Sequence, residues 1–169
     1  MALPETITHQ EHLLTINLND EHGVTHPTEG YEIRPLFLDR ENGTWVLYAK
    51  FPPGTLLPRH FHTGTVHFFT TKGRWNYVEY PEDPQTAGSY LYEPGGSIHQ
   101  FSVPADATEA AEGFMVVSGA NVNFDDEGNF VDITDAGSLE DGIAAAAQLQ
   151  NVATPRYITP GGVADFTKS

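Results

Sequence analysis

Two histidines one residue apart, His60 and His62, with a third at His99, are the residues of this 169-residue chain best suited to chemistry. Strand side chains alternate between faces, so a strand through His60-Phe61-His62 presents two imidazoles side by side. Neutral imidazole is a good ligand for divalent transition metals, and two of them make half a site. The pair alone leaves two readings open, because eight histidines in this length give chance pairs and buried strand histidines occur without a metal. The chain has no cysteine, which removes thiolate sites, disulfides and a cysteine nucleophile. Any metal must be held by histidine and carboxylate.

The surroundings of these histidines are patterned. Gly54, five residues, His60-x-His62 and then Gly73 form one spacing; Gly88, five residues, Pro94-x-Gly96, two residues and His99 form a second. Together they resemble the two motifs of the cupin superfamily, over Gly54 to about Val103. The resemblance implies a jelly-roll barrel in which His60, His62 and His99 bind one metal ion. The chain departs from the pattern at Val66, where the first motif usually carries a glutamate, and valine cannot ligate. His67, one step along, falls on the opposite face of its strand unless a bulge intervenes.

A carboxylate in phase with the site is Glu79. In RWNYVEY the alternating set Trp75, Tyr77 and Glu79 shares one face, where an acid among aromatics calls for a cation. That string, with GSYLYEPGG after it, is similar to a narrower group of cupins, 2,4'-dihydroxyacetophenone dioxygenase and the metal-binding sensor cupins of some anti-sigma factors. The similarity implies that Glu79 is the fourth ligand. Three imidazoles and a carboxylate suit Zn, Fe, Ni or Cu better than Mg or Ca. The donor set does not choose among them; the resemblance to the dioxygenase favours Fe(II), and Zn or Ni could replace it in a purified sample. Phe69, Trp75, Tyr77, Tyr90, Tyr92 and Phe101 flank the ligands and are the candidates for an aromatic pocket. Glu93 is expected to point to solvent, and Arg59 and Arg74 to lie on the surface.

Positioning these groups requires many short strands. Extended patterns run over Tyr31–Leu38, Thr44–Phe51, Arg59–His62, Val66–Thr71, Arg74–Tyr80, Ser89–Glu93, Gln100–Val103, Phe114–Ser118 and Phe130–Thr134, nearly all separated by Gly or Pro. About nine such strands predict an all-β jelly roll. The chain reads as a single domain: an arm over residues 1–29, a barrel over 30–135, and a helix over 138–152 on the barrel exterior. The helix is signalled by Ser138 and Asp141 as a capping box and by Leu139, Ile143 and Ala146 at helical spacing.

With 23 Asp+Glu against 8 Lys+Arg, the net charge of −15 disfavours nucleic acid and anionic lipid as partners. A small neutral or aromatic carbonyl ligand is compatible. No apolar run reaches the roughly 18 residues of a membrane span, and a cytoplasmic protein is expected. Cupin resemblance also implies a homodimer joined through barrel strands. The activity that the resemblance implies is an oxygenase in which Fe(II) takes a small hydroxyketone or β-diketone through two oxygens and dioxygen splits a C–C bond; the residues themselves carry only the metal site. The alternatives are a non-catalytic metal or ligand sensor, for which this short chain offers no second domain to hold a sigma factor, and a Zn-dependent isomerase or hydrolase. No catalytic side chain beyond the ligands is assigned.

Overall fold

The structure, a computed structural model, describes residues 13–161 and 165–167. The first twelve residues of the expected arm, His9 and His12 among them, lie outside the described residues. In chain order the strands are β1 (Val24–Thr25), β2 (Glu32–Asp39), β3 (Thr44–Phe51), β4 (Arg59–His62), β5 (Val66–Lys72), β6 (Arg74–Tyr77) and β7 (Tyr80–Thr86). They continue as β8 (Tyr90–Glu93), β9 (Phe101–Ser102), β10 (Ala111–Ser118), β11 (Asn121–Phe124) and β12 (Phe130–Thr134). Helix α1 (Ala136–Gln150) and two short strands, β13 (Ile158–Thr159) and β14 (Asp165–Phe166), follow.

One wall is an eight-stranded sheet in the order β14-β13-β2-β3-β10-β5-β8, with β1 on β2; the other is made of β12-β11-β4 and β7-β6-β9. Isolated bridges, Leu56 to Ser102 and His60 to His99, stitch the two small sheets into one surface. The alternation that β3 shows in sequence is physical: Trp45, Leu47, Ala49 and Phe51 are buried while Lys50 is exposed. Phe51 and Ala111 of the large sheet meet Trp75, Phe101 and Val103 of the small one, with the Phe51 and Phe101 ring centroids 4.5 Å apart. The chain is thus the expected all-β jelly roll with one helix.

One strand and the helix differ from the expectation. The strand predicted to run from Arg74 to Tyr80 stops at Tyr77; Val78 and Glu79 form a turn, and a new strand starts at Tyr80. Helix α1 begins two residues earlier than Ser138. Its cap is Asp135, which accepts from the Ser138 backbone at 2.8 Å while the Ser138 hydroxyl accepts from Asp135 N, also at 2.8 Å, so Ser138 closes the capping box as its third helical residue. The helix also does more than lie on the exterior. It packs on β1, β2 and β12, and Ile143 (1% exposed) joins Trp45 and Leu47 in the core, so it seals the seam between the two walls.

Candidate metal centre

Strand β4 presents His60 and His62 to the barrel interior and turns Phe61 away, against Phe124. His99 comes from the loop before β9 and is fixed to β4 by a reciprocal pair of backbone bonds, His60 N to His99 O (3.0 Å) and His99 N to His60 O (2.9 Å). The Pro94-Gly95-Gly96 turn closes on the same strand, with Gly96 N donating to His62 O at 2.8 Å. Gly96 sits at φ +82°, a conformation that disfavours side chains, which is why the second motif needs glycine there. Each imidazole offers a nitrogen, and these lie within 4.8 Å of one another.

His60 Nδ1 donates to the Pro58 carbonyl at 2.8 Å, which leaves the Nε2 lone pair free. Burial holds the His60 pKa down, and the neighbouring His99 and His62 add to the effect while the Pro58 bond and Glu93 oppose it; the value falls from 6.5 to about 4. The ring is therefore neutral and ready to ligate.

The carboxylate at this cluster belongs to Glu93. Its Oε2 lies 2.9 Å from His62 Nε2 and 3.2 Å from His99 Nε2, and its Oε1 accepts from the Tyr77 hydroxyl. Burial alone would raise its pKa, but the two imidazoles outweigh that and hold it below the usual carboxylate range. Tyr77 is pushed well above its ordinary value by burial and then by Glu93. The close approaches to Glu93 Oε2 lack hydrogen-bond geometry: Oε2 and His99 Nε2 are buried without hydrogen-bond partners. Two unpartnered polar atoms, three converging imidazoles and a buried acid beside no lysine or arginine are the surroundings a divalent cation would satisfy.

Glu79 is elsewhere. It is exposed in the turn after β6, and its Oε2 accepts from Gln100 N at 2.9 Å. The expectation failed because alternation holds only while the strand lasts, and this one ends two residues short. Glu93 takes the place at the imidazoles for a reason of register: it is the β8 residue paired with Val66 of β5, the position whose missing glutamate the sequence pattern had flagged. The carboxylate that Val66 cannot offer is supplied from the neighbouring strand. The expectation that Glu93 faces solvent is overturned, since it is 6% exposed. A signal for it existed in Tyr90-Leu91-Tyr92-Glu93, where Glu93 shares a face with Leu91 rather than with the two tyrosines.

The six pocket aromatics divide. Tyr77 packs on His99 with centroids 4.5 Å apart and touches Glu93. Trp75 and Phe101 are buried in the core, stacked at 4.6 Å, and line no cavity at the cluster. Phe69, Tyr90 and Tyr92 are exposed on the outer face of the large sheet, beside His67, whose Nδ1 is 2.8 Å from the Tyr90 hydroxyl. Tyr92 also edges a groove at Tyr77, Glu93 and His99. Arg59 and Arg74 are exposed, as expected.

Sequence reasoning missed the cavity on the other side of the cluster. It measures about 270 Å³ and is reached from His60; Tyr31, Trp45, Phe51, Leu57 and Met115 give it an apolar wall. Glu29, Asp132, Asn121 and Asn123 supply the polar groups, and no lysine or arginine lines it. Among the described residues no helix is long and apolar enough to cross a membrane.

Residues 11–121 match the ChrR cupin-like domain family. A protein of unknown function with a cupin-like fold from Ralstonia eutropha JMP134 is similar at 46% identity and a TM-score of 0.84, covering 92% of this chain and 96% of that one. An RmlC-like cupin from the same organism shares 23% identity at a TM-score of 0.76, over 85% and 92% of the two chains. An acetylacetone dioxygenase from Acinetobacter johnsonii shares 21% identity at a TM-score of 0.69, over 86% and 99%, a likeness of fold. No curated protein matches the sequence.

Proposed function

The chain belongs to the ChrR cupin-like domain family, and from that premise we propose that it is an Fe(II)-dependent dioxygenase cleaving a C–C bond of a small hydroxyketone or diketone. The observation that carries this reading is the junction of a three-histidine cluster with a cavity of about 270 Å³ whose wall is largely apolar and holds acids but no lysine or arginine. A neutral carbonyl compound fits such a space, whereas the far end of a carboxylate or phosphate would meet Glu29 and Asp132 with no lysine or arginine to offset them. Likeness of fold to a protein named for acetylacetone, itself a β-diketone, supports the same direction.

Bound iron would supply the Lewis acidity and the redox couple that the side chains lack, with the electrons that reduce dioxygen coming from the substrate. His60, His62 and His99 would hold it, with Glu93 providing the negative charge at the site. Tyr77 orients Glu93 through its hydroxyl and, packed on His99, shields that side from water. Trp45, Phe51 and Met115 keep the substrate side dry.

The test is anaerobic reconstitution with Fe(II) followed by oxygen uptake over a panel of β-diketones and hydroxyacetophenones. Uptake matched one-to-one by loss of ketone is expected. Tight metal binding with no uptake on any of them would replace the oxygenase by a sensor, and turnover with Zn(II) but without oxygen would point to an isomerase or hydrolase.

The homodimer, too, is part of this proposal. The outer face of the large sheet carries exposed Phe69, Tyr90 and Tyr92 beside Phe114 and Val116. Three of the eight basic residues, Arg34, Lys50 and Lys72, lie on the same sheet. With Arg34 paired to Glu32 and Lys72 beside Glu109 and Glu112, the acids of this face are balanced by bases, so in a chain of net charge −15 it is one on which two copies can meet without strong repulsion.

A further inference from the structure

Among the described residues, four buried side-chain atoms have no hydrogen-bond partner: His62 Nδ1, Glu93 Oε2, His99 Nε2 and Asn121 Oδ1. Two of them, Glu93 Oε2 and His99 Nε2, lie 3.2 Å apart at the imidazole cluster and belong to the metal centre. The other two are a ring nitrogen and an amide oxygen, and their residues are partners: Asn121 of β11 pairs with His62 of β4 in the antiparallel ladder. Cross-strand partners project to the same face. Thr63 N donates to Ala120 O next along the ladder, so the His62–Asn121 pair is of the non-hydrogen-bonded kind, in which Cα atoms come within about 4.5 Å and side chains approach most closely.

The chemistry of the two atoms is complementary. His62 turns Nε2 toward Glu93 Oε2 and the centre, so an ion held through Nε2 requires the ring's proton to sit on Nδ1. A buried N–H with no acceptor is costly. His60 meets the same requirement through the Pro58 carbonyl. Asn123, the other amide on this face, is already committed, with its Nδ2 donating to Asp132 Oδ1 (2.6 Å) and to Thr134 Oγ1 (3.0 Å). Asn121 is not.

We infer that Asn121 is the positioning residue for His62: its side-chain oxygen accepts the Nδ1–H that His62 carries when Nε2 engages a metal, fixing the ring's tautomer and orientation. This rests on the metal-binding reading above.

The test uses Zn(II) alone as probe, with the full chain. Asn121→Leu keeps the size and removes the acceptor; it should bind Zn(II) about 10- to 100-fold more weakly in chelator competition. Asn121→Asp keeps the acceptor and should retain at least the parent affinity. In the Zn(II)-loaded parent, proton–nitrogen NMR should show a slowly exchanging His62 Nδ1–H with a cross-peak to the Asn121 side-chain amide; the slow proton should persist in Asn121→Asp and be lost in Asn121→Leu. The NMR of the parent decides even if Asn121→Leu does not fold: a fast-exchanging His62 Nδ1–H without that cross-peak overturns the assignment. So does unchanged Zn(II) affinity in a folded Asn121→Leu. Failure of the parent to take up Zn(II) would instead remove the metal reading itself, and this inference with it.

Discussion

Glu93 ends β8 and Glu79 lies in the turn after β6, each next to a tyrosine in sequence, and the structure gives them opposite surroundings: one is buried on two imidazoles, the other exposed on a backbone amide. Glu93→Gln should therefore weaken metal binding about 10- to 100-fold, while Glu79→Gln leaves it within about twofold; chelator competition on both variants checks this. Ala at His60, His62 or His99 should abolish stoichiometric metal in elemental analysis, and full occupancy in all three would dispose of the site. Acid should act on the same cluster in the metal-free protein. The folded pKa of His60, about 4, lies below its unfolded 6.5, so its contribution is complete above that unfolded value and is lost as pH falls toward the folded one. From pH 7 to pH 5 this amounts to about 2 kcal/mol. Glu93, also depressed, adds its loss only at lower pH, in the ordinary carboxylate range and beneath. Urea titrations should show the pH 7 to 5 loss, and a His60→Asn variant should flatten it.

At the scale of elements, the turns hold the motif strands in register. Gly73, between β5 and β6, has φ +71°, and a Cβ there would collide with the Ala110 carbonyl, a backbone atom that cannot move aside cheaply. Gly88 has φ +93° but open space around it. Gly88→Ala should then cost about 1–2 kcal/mol from backbone strain alone, and Gly73→Ala clearly more, as read from the two denaturation midpoints. An inverted order would mean the Ala110 segment yields. Asp135→Ala removes the real cap of α1 and should cost about 1 kcal/mol. Because α1 seals the barrel seam through Ile143 and lines the cavity through Leu139, that loss should also loosen the cavity wall.

Over the whole molecule, the histidine cluster lies between a groove at Tyr77, Glu93 and His99 and an interior cavity reached from His60. A ligand occupying the interior would be enclosed by both walls and by the helix. The proposed dimer face is separate, on the outside of the large sheet. Light scattering should find two chains per particle, and Phe69→Lys with Tyr90→Lys should give a folded monomer. A parent protein monomeric at all concentrations would exclude the dimer.

The sequence alone determined what local period and spacing can encode. The His-x-His alternation, the two glycine-punctuated spacings and the β3 pattern depend on neighbours within a few residues, and the folded chain keeps all three. The late helix was legible too, from its apolar spacing, although its cap was misplaced by three residues because Asp135 and Ser138 form the box that Ser138 and Asp141 resemble. What tertiary structure decided was everything that crosses strands. Glu93 reaches the imidazoles because β8 pairs with β5 in the register that sets it opposite Val66, and Asn121 faces His62 because β11 pairs with β4. Neither register is written in either strand by itself, since pairing partners distant in sequence are chosen by the closure of the whole barrel. Glu79 shows the converse: its phase was extrapolated along a strand that ends at Tyr77, and the turn chemistry did not announce that end.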